Sequence, residues 1–67
     1  MNRKRKFRVA VVGLGKMGKN HLRVLREHGG FEVTAVVDPR EETQELAGKS
    51  TWYRSVADFI PHAKDVE

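Results

Sequence analysis

Three observations in this 67-residue chain predict an α/β fold built on a three-stranded parallel sheet. Apolar segments of strand length alternate with segments whose apolar residues recur at helical spacing. The connections between them are short. A glycine cluster falls at the first strand-to-helix junction. Together they give the order β-α-β-α-β-α, with right-handed crossovers and a strand order of 3-2-1.

The first strand is Phe7-Arg8-Val9-Ala10-Val11-Val12, ended by Gly13. Its three valines and alanine put apolar groups on both faces, the pattern of a strand buried on both sides. Residues 16–28 read as a helix. At 100° per residue, Val24, Met17, His28, His21, Leu25, Gly18 and Leu22 fall on one arc, while Lys19, Arg26, Arg23, Glu27 and Asn20 fill the other. Gly29-Gly30 should stop this helix by adopting a positive φ.

Phe31 to Val37 forms the second strand, and Asp38-Pro39 marks its end. Asp38 is placed to cap a following helix over about residues 39–47, with Pro39 in its first position and Glu41 completing a capping box. That helix is polar, with Leu46 and Ala47 as its only anchors. Thr51-Trp52-Tyr53 is a short third strand. Being adjacent, Trp52 and Tyr53 face opposite sides and cannot form one stacking platform. Ser55, with Asp58 three residues on, caps a last short helix through Val56, Ala57, Phe59 and Ile60, which Pro61 limits. Both crossover helices then lie on one face of the sheet. The other face of the first strand is left with little cover besides the last helix.

Composition narrows the function. The length allows one small domain, too little for a catalytic and a cofactor domain together. Without cysteine there is no disulfide scaffold, cysteine nucleophile or cysteine zinc site, and the chain suits a reducing cytoplasm. No apolar run approaches the ~18 residues of a membrane span. The net charge of +4 is lopsided, with nine Lys/Arg and one acid in residues 1–30 against four and eight in residues 31–67. The basic tail of residues 1–6 reads as a solvated arm. It lacks the interleaved aromatics that single-stranded nucleic acid favours, so nucleic-acid binding is the weaker interpretation.

The chemistry lies in Gly13-Leu14-Gly15-Lys16-Met17-Gly18, a G-x-G-x-x-G sequence joining strand to helix. Gly13 permits the tight turn, Gly15 keeps side chains away from a pyrophosphate, and Gly18 lets the helix pack close to the sheet. The N–H groups at the helix start can hold phosphates, with Lys16 either adding long-range attraction or pointing into water. Asp38 follows 20 residues after Gly18, at the end of the second strand. A carboxylate there accepts hydrogen bonds from the adenosine ribose hydroxyls and disfavours a 2′-phosphate, so NAD is preferred to NADP. Arg40 either meets such a phosphate, lies over the adenine, or points to solvent. A P-loop would share Gly13, Gly18 and Lys19. It needs a hydroxyl where Asn20 stands, and it leaves Gly15 and Asp38 unexplained. His21 and His28, one helical repeat apart on the apolar arc, read as core or boundary residues rather than metal ligands. Ser55 and Asp58 read as a cap.

The stretch Val11-Val12-Gly13-Leu14-Gly15-Lys16-Met17-Gly18-Lys19-Asn20-His21 resembles the G-x-G-x-M-G-x-x-H opening of the Gfo/Idh/MocA oxidoreductases. The similarity continues through Glu32-Val33-Thr34-Ala35-Val36-Val37-Asp38-Pro39 and Tyr53-Arg54-Ser55. It implies the N-terminal part of a Rossmann domain, over residues 7–67 and ending before a fourth strand, with dinucleotide contacts at Gly13, Gly15, Lys16, Met17, Gly18 and Asp38. It also implies hydride transfer between a nicotinamide and a sugar, cyclitol or related compound. The family's catalytic lysine lies in a later E-K-P motif and its histidine in a C-terminal domain. Neither motif occurs here, and Lys49 and Lys64 do not stand in for them. No catalytic residue is expected in this chain. A structural alternative is a non-catalytic module that self-associates through the unpaired edge of the first strand.

Overall fold

The computed structural model describes residues 6–66. Most of the expected basic tail, including Arg3-Lys4-Arg5, lies outside the described residues. Strands β1 (Phe7–Val12), β2 (Phe31–Val37) and β3 (Thr51–Tyr53) form one parallel sheet in the order β1-β2-β3, with β2 in the centre. Helix α1 (Lys16–Glu27) makes the first crossover, a 3-10 helix over Glu41–Leu46 lies in the second, and α2 (Val56–Phe59) runs into a 3-10 segment, Ile60–Asp65.

The sheet has one irregularity. Val9 pairs with Val33, but Ala10 pairs with Ala35, so Thr34 is an extra residue on β2. Its hydroxyl donates to the Val9 carbonyl at 3.4 Å. This bulge shifts the alternation, so that Val33 and Val36, three apart, both enter the same core. The core comprises Val11, Leu14, Leu22, Val33, Val36 and Ala47, with Val9, Leu25, Leu46 and Trp52 packed around it. Trp52 donates its indole N–H to Thr43 Oγ1 at 2.9 Å. Tyr53, on the other side of β3, meets Phe59 edge-on at 5.4 Å and stacks on His62 at 5.5 Å.

Four expectations are corrected. First, β1 is not buried on both faces: Val11 is buried, whereas Phe7 and Val12 are 59% and 60% exposed. Among the described residues no strand pairs with its outer side, so β1 is an edge strand.

Second, the apolar arc of α1 is wider than its contact with the sheet. Leu22 is buried and Leu25 half-buried, but Met17, His21, Val24 and His28 are exposed. Third, α1 does not end on a left-handed glycine. His28 turns the chain out in an extended conformation, and positive φ occurs at Gly13 and Gly48 instead. The His28 ring takes over the stop, with Nδ1 accepting from Gly30 N at 3.0 Å and the ring lying 5.1 Å from Phe31.

Fourth, residues 39–47 do not make an α-helix capped by Asp38. The segment is a 3-10 helix whose N-cap is Arg40, with no side-chain capping bond. Of this segment's backbone the Asp38 carboxylate takes the Arg40 N–H, its other bonds going to Leu14 N and the Arg40 guanidinium, and few apolar residues pull the segment onto the sheet. What holds it is polar. Thr43 donates both N–H and hydroxyl to the Arg40 carbonyl, and Arg26 reaches from α1 to the carbonyls of Leu46 and Ala47 and to Ser50 Oγ. The cap at Ser55 is as expected, its Oγ accepting from Asp58 N at 3.1 Å.

Candidate functional site

The site begins with the turn out of β1. Gly13 has φ +90°, a conformation that disfavours any residue with a Cβ, and donates its N–H to Val37 O at 2.7 Å. The chain then enters α1 with Gly15 as N-cap, and the first helical bond runs from Lys19 N to Gly15 O at 2.8 Å. No side chain caps this end and its first turn holds no acid. Lys16 and Lys19 stand there instead, the wrong sign for the positive end of the helix dipole. The early N–H groups have no intrahelical acceptors. An anion is what such a terminus lacks.

The second and third glycines behave differently. A Cβ on Gly18 would overlap the Gly13 carbonyl oxygen and lie 2.7 Å from its carbon, so Gly18 is what allows α1 to sit against the end of β1. A Cβ on Gly15 would meet nothing nearer than Arg40 Nη2, at 3.9 Å. Its φ of −73° suits any residue. The fold itself therefore gives no reason for glycine at 15, whereas an approaching ligand would.

Asp38 closes the site from the end of β2. It is buried, and each carboxylate oxygen accepts two hydrogen bonds. Oδ2 takes Leu14 N at 2.7 Å and Arg40 Nη2 at 2.9 Å, while Oδ1 takes Arg40 N and Arg40 Nε, both at 2.9 Å. The Arg40 guanidinium, the Leu14 N–H and the Arg40 N–H, in that order of weight, hold the carboxyl well below the usual carboxylate range against a smaller opposing effect of burial. Asp38 is thus an anion at any physiological pH. The following residues are pinned by Arg54, which donates to Glu41 Oε2 at 3.0 Å and Pro39 O at 3.4 Å and lies 5.4 Å from the Trp52 ring centre.

Gly13, Gly15, Gly18, Asp38 and Arg40 therefore meet at the carboxyl end of the parallel strands. Lys16 and Met17 project from the first turn of α1 beside them, Met17 being 67% exposed. The P-loop alternative finds no support in the geometry. Lys19 and Asn20 are exposed, and Asn20 Oδ1 accepts from Arg23 at 2.7 Å. Among the described residues no three His, Asp or Glu side chains are grouped to hold a metal.

The glycine motif assigns no role to Leu14. Its side chain is fully buried while its N–H ties the glycine turn to Asp38. The available signal was a large apolar residue in a loop otherwise made of glycine and lysine.

A parallel β-α-β unit whose glycine turn meets a strand-end carboxylate is the form taken by dinucleotide-binding units. Residues 7–66 match the family model described as the oxidoreductase family with an NAD-binding Rossmann fold, Gfo/Idh/MocA, and the chain belongs to that family. No curated protein and no solved structure matches it.

Proposed function

We propose that this chain binds the adenosine diphosphate half of NAD, as the cofactor end of an oxidoreductase acting on a sugar, cyclitol or similar compound. The observation that carries this reading is the 2.7 Å bond from Leu14 N to Asp38 Oδ2. It sets a carboxylate suited to ribose hydroxyls on the same rim as a helix end suited to pyrophosphate. Gly13 shapes the turn and Gly18 brings α1 close. Gly15 leaves room for the phosphates, which the N–H groups of the first helical turn and the charge of Lys16 attract, with Met17 flanking them. Asp38 accepts from the ribose. Its negative charge favours NAD over NADP, although Arg40 beside it leaves NADP a partner. The bound nicotinamide would accept or release hydride. No residue of this chain is assigned a catalytic role.

A titration with NAD, NADP and ADP-ribose, followed by calorimetry and repeated on Gly15→Val and Asp38→Ala, tests the reading. Gly15→Val is the sharper variant, because the free fold has space for the side chain. Loss of binding is expected. Equal affinity in wild type and Gly15→Val would refute the phosphate-loop account.

A second reading concerns self-association. Ala10, Val11, Val12, His21, Val24 and Leu25 line an apolar groove of about 400 Å³ beside the outer edge of β1. Edge pairing between copies would cover it. Sedimentation of wild type and Val12→Lys should then show an oligomer that the lysine disperses. A wild-type monomer at high concentration defeats this reading. The absence of cysteine favours a reducing compartment such as the cytoplasm. Among the described residues no helix is long and apolar enough to cross a membrane.

A further inference from the structure

An ionised carboxylate offers about four lone-pair positions, and all four on Asp38 are filled. Two donors are main-chain N–H groups, from Leu14 and Arg40, fixed by the glycine turn and by the chain after β2. The other two, Nε and Nη2, belong to the Arg40 side chain and grip both oxygens as a fork. A ribose hydroxyl can donate to Asp38 only where one of these donors leaves. The guanidinium is the group able to do so, since the Arg40 side chain is 50% exposed whereas that of Asp38 is 4% exposed. The same guanidinium reaches over the glycine loop, with Nη2 3.9 Å from where a Gly15 Cβ would stand.

We propose that Arg40 is a latch that occupies the ribose position on Asp38 in the free protein, so that binding of an adenosine ribose is an exchange of donors. The proposal rests on the reading of this rim as the adenosine end of a dinucleotide site. In the free chain the fork holds Asp38 and shields the loop. When the ribose arrives, its hydroxyls replace Nε and Nη2, and the guanidinium swings out over the bound ligand. The measured affinity is the intrinsic affinity reduced by the fraction of molecules with the latch open. A ligand that fills the phosphate loop without a ribose leaves the fork in place.

The side-chain Nε–H resonance of Arg40 tests this directly. In the free chain it should be protected from solvent exchange. Saturating ADP-ribose should remove that protection, while saturating inorganic pyrophosphate should not. Retained protection in the ADP-ribose complex, or equal loss with pyrophosphate, would overturn the proposal.

Affinity gives a second arm through Arg40→Lys, which keeps the positive charge near the phosphates but loses the fork. ADP-ribose should bind this variant about two- to fivefold more tightly, the range for releasing a half-exposed ion pair. Unchanged or weaker binding counts against the latch. Gly15→Val separates the two levels of argument. If it abolishes ADP-ribose binding while Arg40→Lys does not tighten it, the latch fails and the site stands. If Gly15→Val binds like wild type, the site itself is wrong.

Discussion

Replacing Gly18 with alanine sets two effects of opposite sign against each other. Position 18 lies in the first turn of α1, where alanine exceeds glycine in helix propensity by up to about 1 kcal/mol. The new Cβ, however, falls on the Gly13 carbonyl, 2.7 Å from its carbon and closer still to its oxygen. Carbon atoms pack best at 3.5–4.0 Å, so the helix has to retreat by about 1 Å from the end of β1. Overpacking of this kind costs about 1–3 kcal/mol, and here the obstacle is main chain, which has no rotamer to change. Sterics should win. Gly18→Ala is expected to be net destabilised and to melt about 5–15 °C lower, given the steep temperature dependence of so small a domain. Thermal unfolding followed by circular dichroism measures this, with Gly29→Ala as the control. A Cβ at Gly29 meets nothing within 4 Å, and that variant should melt within a degree or two of wild type or slightly above. If Gly18→Ala melts at or above wild type, the close approach of α1 to β1 is not what keeps glycine at 18.

Other perturbations follow from the polar contacts. Asp38 has a lowered pKa in the folded chain, so its contribution to stability is complete above its ordinary value of 3.8 and is lost as the pH falls below that value. Acid titration of stability should show this loss in wild type, and Asp38→Asn should remove that part of the pH dependence. Arg26→Met keeps much of the apolar stem but removes the donor to the Leu46 carbonyl and one of the two donors to the Ala47 carbonyl, which keeps Ser50 N. A loss of about 1–2 kcal/mol in urea unfolding is expected, and wild-type stability would show that the bridge contributes nothing. Trp52→Phe keeps a ring in the core and deletes the 2.9 Å bond to Thr43 Oγ1. It should cost about 1 kcal/mol, with faster amide exchange across Glu41–Leu46, and unchanged exchange there would contradict the role given to this bond.

The parts of the fold legible in the sequence were those set by local rules. The extent of β1, the presence of α1 and the Ser55 cap each follow from spacing or from one hydrogen bond. The meeting of the glycine turn with Asp38 was legible for the same reason, because the glycines and the acid follow one another at a fixed distance. What could not be read depends on partners distant in the chain. Asp38 would cap the segment after it if free, but Leu14 and Arg40 fill its oxygens, and the segment settles into a 3-10 helix held by Arg26 from α1. The stop after α1 is a local exception, taken by the His28 ring through contacts two and three residues on, with Gly30 N and Phe31, rather than by a left-handed glycine. The Thr34 bulge was hidden because Ala35, Val36 and Val37 after it are all apolar, so either register buries an apolar residue. A strand with apolar residues on both faces does not announce where its alternation slips.

That bulge also acts as a ruler. Val33 is fixed opposite Val9, and the length of chain from Val33 onward decides how far Asp38 travels toward the glycine turn. Deleting Thr34 would leave β2 two choices. It could keep Asp38 at the rim and draw Val33 out of the core, or keep Val33 and stop Asp38 about 3.3 Å short of Leu14. One residue with no place in the site thus sets its span. Variation in the strand, not only in the glycine loop, can switch the rim on or off.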